Sequence, residues 1–259
     1  MRLIAGPCQH ESLQQSLEIA EHVSDLCSKY DLDFYFKASY DKANRSHDSG
    51  VRGKGLSSTM EDFLHMKYHW PGLKILTDVH DYVQVARIER EFCNAVDVYQ
   101  VPAFLCRQTD LIKAVCATDK IVNIKKGQFL APWDVSGIIS KCEDAEQLWI
   151  TERGTSFGYN NLVVDFTGLQ YMLMAYPCPI VYDLSHSVQR PGSNKESSGG
   201  DRSYIPGLAR ASSALGISNF FVECHPRPDK APSDGPNMVH LDDMDELLNN
   251  IVEYHHAQH

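Results

Sequence analysis

The sequence lacks the features that would direct it to a membrane or to nucleic acid. No apolar run approaches the ~18–20 residues that a membrane-spanning helix requires, and Met1 is not followed by a signal-peptide pattern. Basic residues are few, since 24 Lys and Arg stand against 34 Asp and Glu, for a net charge of −10. A basic footprint for nucleic acid or an anionic membrane is therefore missing. These absences predict a cytoplasmic protein with neither of those partners.

Disulfide patterns and nucleotide-binding loops are missing as well. None of the eight cysteines belongs to a CxxC pair, so most are expected to be reduced, buried side chains. No GxGxxG follows the first apolar run, and no GxxxxGK[ST] occurs anywhere in the chain. No Pro-rich or low-complexity linker divides the sequence. We therefore expect residues 1–259 to form one domain.

What the sequence does contain is an eightfold alternation of short apolar runs and amphipathic stretches. The runs cover residues 3–5, 33–37, 74–79, 96–101, 121–124, 147–151, 179–184 and 219–222. Helical patterns begin at Leu13 and recur over residues 111–117, 135–142, 162–174, 208–215 and 247–252. About 32 residues per unit is typical of an α/β protein with the (β/α)8 TIM-barrel fold. An open doubly wound sheet is the alternative.

Every apolar run ends in polar residues, which a barrel enzyme would gather at one mouth. In chain order these residues are Cys8, Lys37, Asp78 with His80, Gln100, Lys125, Arg153, His186 and Glu223. A single polar strand end is explained equally well by the ordinary polarity of strand ends, and Cys8 alone would most simply be a buried structural thiol. Together with Lys42 and Arg45, the cations predict an anionic substrate. Cys8, His186, Glu223 and Asp234 form a mixed S, N and O set that suits Fe²⁺, Zn²⁺, Co²⁺ or Mn²⁺.

Eight longer motifs are spread over nearly the whole chain: IAGPC (4–8), FKASYDKANRS (36–46), TDVH (77–80), QVPAFLCRQTDL (100–111), NIKKGQFLAPWD (123–134), TERGTSFGYNNLVVD (151–165), DLSHSVQ (183–189) and ECHPRPDKAPSDGP (223–236). In this order they resemble the family of 3-deoxy-D-manno-octulosonate 8-phosphate (Kdo8P) synthases. The resemblance implies a (β/α)8 barrel that assembles as a homotetramer. It also implies the condensation of phosphoenolpyruvate with D-arabinose 5-phosphate, and a product destined for lipopolysaccharide or for a plant pectic polysaccharide.

The resemblance also assigns roles to individual residues. Phosphoenolpyruvate would contact Lys37, Ser39, Lys42, Gln100, Ala103, Lys125 and Arg153. The aldose phosphate would contact Asn44, Arg45, Ser46, Asp78, His80 and Phe104. Cys8 indicates the metal-requiring form of the family, with His186, Glu223 and Asp234 as the other ligands, and Lys42, His186 and Asp234 would serve catalysis. Strand alternation lets only one of Lys125 and Lys126 point inward, and the sequence leaves that choice open.

Three other functions remain as alternatives. A sister family uses erythrose 4-phosphate and typically carries Lys-Pro-Arg-Thr where this chain has Lys42-Ala43-Asn44-Arg45-Ser46, so the Asn favours the five-carbon aldose. A barrel metal hydrolase would leave the mouth cations unused, and no HxH follows the first strand. A sugar-phosphate sensor would be favoured by loss of a ligand or phosphate contact, and the sequence has lost none.

Overall fold

Eight parallel strands form a closed barrel. The computed structural model describes residues 1–43, 51–192 and 199–257. The strands are β1 (Arg2–Gly6), β2 (Asp33–Lys37), β3 (Ile75–Asp78), β4 (Val98–Val101), β5 (Ile121–Lys125), β6 (Leu148–Glu152), β7 (Ile180–Asp183) and β8 (Asn219–His225). Neighbours in the chain pair in order, and β8 returns to β1 from Asn219↔Arg2 to Glu223↔Gly6. The predicted (β/α)8 barrel is confirmed, because closure between β1 and β8 excludes the open sheet.

Helices follow the strands and cover the outside of the barrel. They are α1 (Leu13–Lys29), α2 (Leu56–His69), α3 (Tyr82–Phe92), α4 (Thr109–Cys116), α5 (Ser136–Ile139), α6 (Phe166–Ala175), α7 (Leu184–Ser187), α8 (Ile205–Ala214) and α9 (Met244–His256). Their buried faces form one continuous apolar core with the outer faces of the strands. Over the described ranges, no helix combines the length and apolar character needed to cross a membrane.

Short strands and 3-10 turns lie at the end of the barrel where the eight strands end. Thr155–Ser156 pairs with Leu162–Val163, and Gln189–Arg190 pairs with Gly199–Gly200, both antiparallel. Val239–His240 runs parallel to the end of β8. The 3-10 turns are Ala103–Leu105, Pro132–Val135, Arg202–Tyr204, Pro228–Lys230, Gly235–Asn237 and Leu241–Asp243.

Two helix predictions were wrong in extent, and three helices, α2, α3 and the single turn α7, were not predicted. The helix expected over 162–174 begins at Phe166, because Leu162–Val163 pairs in a hairpin. The helix expected over 135–142 is the single turn Ser136–Ile139, after a 3-10 turn at Pro132–Val135. Helix α3 was missed because its buried stripe is narrow, with Val85 and Ile88 as its buried residues.

An apolar layer fills the middle of the barrel and separates its two ends. The layer consists of Ile4, Tyr35, Leu76, Val98, Trp149, Val181 and Phe221. On the side where the strands begin, the Arg2 guanidinium lies 4.0 Å from the centre of the Trp149 ring. On the other side, the inward side chains of β2 to β8 that come two residues later are polar: Lys37, Asp78, Gln100, Asn123, Thr151, Asp183 and Glu223. These polar side chains form the floor of the mouth.

Candidate active site

The mouth gathers the polar ends of strands that are distant in sequence. Lys37 at the end of β2 donates hydrogen bonds to the Cys8 carbonyl at 3.0 Å and to Glu223 Oε1 at 3.1 Å. This one ammonium therefore joins β1, β2 and β8. Its side chain is 3% exposed and that of Glu223 is fully buried, so bulk water screens the pair poorly.

Three of the four predicted metal ligands meet in this mouth. One ligand atom from each of Cys8, Glu223 and Asp234 lies within 4.8 Å of the others. The Cys8 thiol donates to Asp234 Oδ2 at 3.1 Å, and Asp234 adopts a left-handed backbone conformation with a φ of 55°. The fourth, His186, lies beside the group, with Nε2 3.7 Å from Glu223 Oε1. The protein therefore presents a thiol and two carboxylates close together, with an imidazole next to one of the carboxylates.

The electrostatics of this group fit a bound cation. Burial, reinforced by Glu223, raises the pKa of the Cys8 thiol. Burial acts to raise the pKa of Asp234 and Glu223 too, but neighbouring His186 and lysines prevail and lower both. Within the described ranges, Glu223 Oε2 is buried with no hydrogen-bond partner. A divalent ion would satisfy this orphaned oxygen and favour the thiolate, so the donor set fits a soft or borderline metal.

Asp183, which the sequence analysis did not single out, orients two of the predicted site residues. Its Oδ2 accepts a hydrogen bond from Lys125 Nζ at 2.8 Å and lies 2.7 Å from His186 Nδ1, while its Oδ1 accepts from the His186 backbone N–H. Burial opposes its ionisation, but His186 and Lys125 hold the pKa of Asp183 far below its usual range. With Nδ1 engaged in this way, His186 presents Nε2 towards Glu223, as a metal-ligating histidine should.

The structure distinguishes the two adjacent lysines at the end of β5. Lys125 lies in the mouth, 3.8 Å from the centre of the Phe221 ring and bonded to Asp183. Lys126 points to the other side of the strand, where it pairs with Glu152 at 3.2 Å and donates to the Leu130 carbonyl. Burial lowers the pKa of Lys125 despite the charge of Asp183. Lys125 is therefore the lysine placed to meet a substrate.

The other residues expected to bind phosphoenolpyruvate also line the mouth. Lys42 donates to Ser39 Oγ at 2.7 Å, and Lys37 approaches the same oxygen at 3.2 Å. Burial acts to lower the pKa of Lys42, but Cys8 and nearby carboxylates prevail and raise it, which keeps the ammonium charged. Gln100 is buried and donates to Asn123 Oδ1 at 2.7 Å, and Ala103 is buried on the following turn.

Arg153 has a free donor inside the mouth. Its Nη2 donates to Gln189 Oε1 at 2.9 Å, whereas Nη1 is buried and contacts no acceptor in the part of the chain that the structure describes. Burial lowers the pKa of the guanidinium, which nevertheless stays charged at neutral pH. Such an unpaired, desolvated donor is suited to a phosphate oxygen.

Some of the residues expected to bind the aldose lie within the described ranges. His80 Nε2 donates to Asp78 Oδ2 at 3.1 Å. Asp78 Oδ1 and His80 Nδ1 are both buried without partners among the described residues, so they can bind hydroxyl groups. Phe104 is 58% exposed on the turn after β4. Asn44, Arg45 and Ser46 lie outside the described residues.

Two further polar residues of the mouth escaped sequence reasoning. Asn123 connects Gln100 to Thr151, donating to the Thr151 hydroxyl at 2.7 Å. Gln189 bridges Arg153 and Asp234. Asn123 could have been found from the sequence, because it is a polar residue within the apolar run of the buried strand β5. Gln189 follows the end of its strand by several residues, so the strand-end argument did not reach it.

Comparison with known proteins identifies the family of the chain. The model of the DAHP synthetase I family matches residues 1–258. A 2-dehydro-3-deoxyphosphooctonate aldolase from Rhodopseudomonas palustris is 47% identical over 98% of this chain and 88% of its own length. Enzymes of the same name from Bradyrhizobium diazoefficiens and Nitrobacter hamburgensis are each 46% identical, over 97% and 98% of this chain and 88% of their own lengths. A match of this extent shows that the chain belongs to the DAHP synthetase I family.

Proposed function

We propose that the protein condenses phosphoenolpyruvate with D-arabinose 5-phosphate and water, giving 3-deoxy-D-manno-octulosonate 8-phosphate and inorganic phosphate. The observation that carries this proposal is the placement of Lys37, Lys42, Lys125 and Arg153 around a cysteine, histidine and carboxylate group in one barrel mouth. A phosphorylated enolpyruvate carries a carboxylate and a phosphate, and both need such cations. A hydrolase that acts on neutral substrates would leave these cations without a role.

The printed names of the relatives support the choice of aldose. They describe an aldolase of a phosphorylated eight-carbon keto acid. Removing the three carbons of phosphoenolpyruvate leaves a five-carbon aldose phosphate as the partner substrate. The sequence Lys42-Ala43-Asn44-Arg45-Ser46 favours the same aldose over erythrose 4-phosphate.

The residues of the chain account for the chemistry in order. Lys37, Lys42 and Lys125 neutralise the carboxylate of phosphoenolpyruvate, and Arg153 takes its phosphate through the free Nη1. C3 of phosphoenolpyruvate then forms a carbon–carbon bond to the aldose carbonyl carbon, water adds at C2, and the proton that this water loses is balanced by protonation of the aldose oxygen to a hydroxyl. The C2 hydroxyl then becomes the ketone as the C2–O bond to the phosphate breaks, and its proton leaves with inorganic phosphate. Positioning and electrostatic stabilisation are the main contributions of the protein.

We further propose that Cys8, His186, Glu223 and Asp234 hold one divalent ion, either Fe²⁺, Zn²⁺, Mn²⁺ or Co²⁺. When bound, such an ion supplies polarisation of the aldose carbonyl and orientation of the attacking water. The lowered pKa of Asp234 makes its carboxylate a weak base and a good cation ligand. Lys42, whose pKa is raised, stays protonated and stabilises negative charge that develops on the substrates.

The proposal extends to the oligomeric state of the protein and to its cellular compartment. We expect a cytoplasmic homotetramer, as the family resemblance implies, and light scattering coupled to size exclusion would measure the mass. A monomeric mass with full activity would contradict the assembly and leave the reaction standing.

The reaction is tested by measuring phosphate release from phosphoenolpyruvate with either arabinose 5-phosphate or erythrose 4-phosphate. Protein treated with a chelator is assayed before and after Mn²⁺ or Zn²⁺ is restored. We expect turnover that depends on metal and is selective for arabinose 5-phosphate. Full activity after chelation would refute the metal site, and preference for erythrose 4-phosphate would move the chain to the sister reaction. Inactivity with both aldoses would favour a sensor.

A further inference from the structure

Gln189 joins two parts of the mouth that the proposed function treats separately. It lies in the short strand Gln189–Arg190, after α7. Its Oε1 accepts from Arg153 Nη2 at 2.9 Å, and its Nε2 donates to Asp234 Oδ1 at 2.9 Å. One amide therefore spans the gap between the cation assigned to the substrate phosphate and a carboxylate assigned to the metal.

The two partners require an amide at this position. A guanidinium can donate and cannot accept, whereas an ionised carboxylate can accept and cannot donate. Gln satisfies both with opposite ends of one planar group, and the partners fix which end is oxygen. A Glu side chain of nearly equal size would keep the contact with Arg153, but it would place a second negative charge against Asp234.

The hydrogen bonds of Gln189 also fix the orientation of Arg153 and Asp234. Nη2 of Arg153 donates to Gln189, and Nη1 is left without a partner among the described residues. Gln189 donates to Oδ1 of Asp234, while Cys8 and Ser233 donate to its Oδ2 at 3.1 and 2.8 Å. Asp234 is thus held from three sides in a left-handed conformation that a non-glycine residue rarely adopts.

We infer that Gln189 is a positioning residue that aligns Arg153 with the substrate phosphate and Asp234 with the metal. It does so without contacting the reacting atoms itself. This inference rests on the proposed function. It predicts that loss of the bridge impairs phosphoenolpyruvate binding and metal binding together, whereas binding of the aldose is spared.

The test compares Gln189→Met and Gln189→Glu with the wild type, and uses Arg190→Gln as the matched control. Arg190 is the exposed neighbour on the same strand. Phosphate release gives kcat and the KM for each substrate, titration calorimetry gives the affinity for phosphoenolpyruvate, and equilibrium titration with Co²⁺ gives metal affinity without turnover. Thermal unfolding establishes that each variant is folded.

For Gln189→Met we expect the KM for phosphoenolpyruvate to rise and the Co²⁺ affinity to fall, each about tenfold, with the KM for arabinose 5-phosphate unchanged. For Gln189→Glu we expect weaker phosphoenolpyruvate binding than for Gln189→Met, because the new carboxylate neutralises Arg153. A residue that merely fills space would give the opposite order, with Gln189→Glu resembling the wild type, and that result would overturn the inference. Failure of the proposed function would instead appear as a wild type that releases no phosphate and binds no phosphoenolpyruvate.

Discussion

Lys125 and Lys126 are neighbours in sequence with different surroundings. Lys125 faces Asp183 and the Phe221 ring in the mouth, and Lys126 pairs with Glu152 behind the strand. A pleated strand sends successive side chains to opposite faces. Substitution of Lys125 should therefore affect mainly catalysis, and substitution of Lys126 should affect mainly stability.

We predict that Lys125→Met lowers kcat/KM for phosphoenolpyruvate by roughly 10- to 100-fold, since a charged hydrogen bond contributes about 1.5–3 kcal/mol. Its free energy of unfolding should fall by less than that of Lys126→Met, because Asp183 keeps the ring and the backbone N–H of His186 as partners. Lys126→Met should keep the KM but lose about 3 kcal/mol of unfolding free energy, because Glu152 is left buried without its cation. Steady-state kinetics and urea unfolding measure both, and a reversed pattern would contradict the assignment.

His80 and Asp78 give the mouth a pH-dependent contribution to stability. Burial acts to lower the pKa of His80, but the hydrogen bond and charge of Asp78 prevail and raise it above 6.5. The folded state then holds the proton more tightly than the unfolded chain does. The stabilisation is therefore complete below pH 6.5 and disappears as the pH rises through the folded-state pKa.

We predict that His80→Gln lowers the free energy of unfolding by roughly 1–2 kcal/mol at about pH 6, and by less at about pH 8.5. Urea unfolding of both proteins at the two pH values measures this difference, and other titrating groups largely cancel because both chains share them. A difference that grows with pH would show that the pKa shift has the opposite sign.

At the scale of the element, Gly6 sets the approach of β1 to β2 at the mouth. Its backbone is extended, but a Cβ atom there would lie 2.2 Å from the Lys37 carbonyl oxygen. That contact is too close for any side chain, and the oxygen belongs to the backbone. The absence of a side chain at this one position therefore lets Cys8 and Lys37 lie side by side.

We predict that Gly6→Ala costs at least about 1–3 kcal/mol of unfolding free energy, as overpacking of a core does, and that it also weakens Co²⁺ binding through Cys8. Gly137→Ala is the matched control. Gly137 lies exposed in α5, and a Cβ there meets nothing within 4 Å, so Ala should be neutral or slightly stabilising. Equal behaviour of the two variants in urea unfolding would argue against the close approach.

Sequence patterns predicted the strands better than they predicted the helices or the contacts in the mouth. Buried strands are nearly continuous apolar runs, so all eight were found within a few residues. Helix α2 was missed because residues 57–59 of its first turn are Ser-Ser-Thr, which are poor helix formers, although Met60, Phe63 and Met66 make a buried stripe. The bridge made by Gln189 depends on where a short strand places one amide, and no local pattern encodes that.

At the scale of the whole molecule, a chain with a net negative charge buries several positive side chains in its mouth. The chain has a net charge of −10, yet Lys37, Lys125 and Arg153 are buried in the mouth against their own carboxylate and amide partners. An incoming phosphate meets these charges inside the mouth, where mobile ions of the solvent screen them poorly. Substrate binding should therefore depend little on salt.

We predict that the KM for phosphoenolpyruvate changes by less than about threefold between roughly 0.05 and 0.5 M KCl. Steady-state assays across this range measure the dependence, with a non-ionic solute of equal osmolarity as the control. A rise of tenfold or more would show that the cations act as an open surface patch.

The closed barrel also decides where the chain can tolerate insertions and deletions. Each strand is hydrogen-bonded to a neighbour on both sides. An insertion or deletion within a strand would therefore shift its pairing with both neighbours. Deleting one residue before Asn123 in β5 would turn Asn123 outward and bring Ile124 into the mouth in its place, so the hydrogen bonds of Asn123 with Gln100 and Thr151 would be lost. Change in length during evolution should therefore be confined to the loops, whereas the number of residues in each strand is as constrained as their identity.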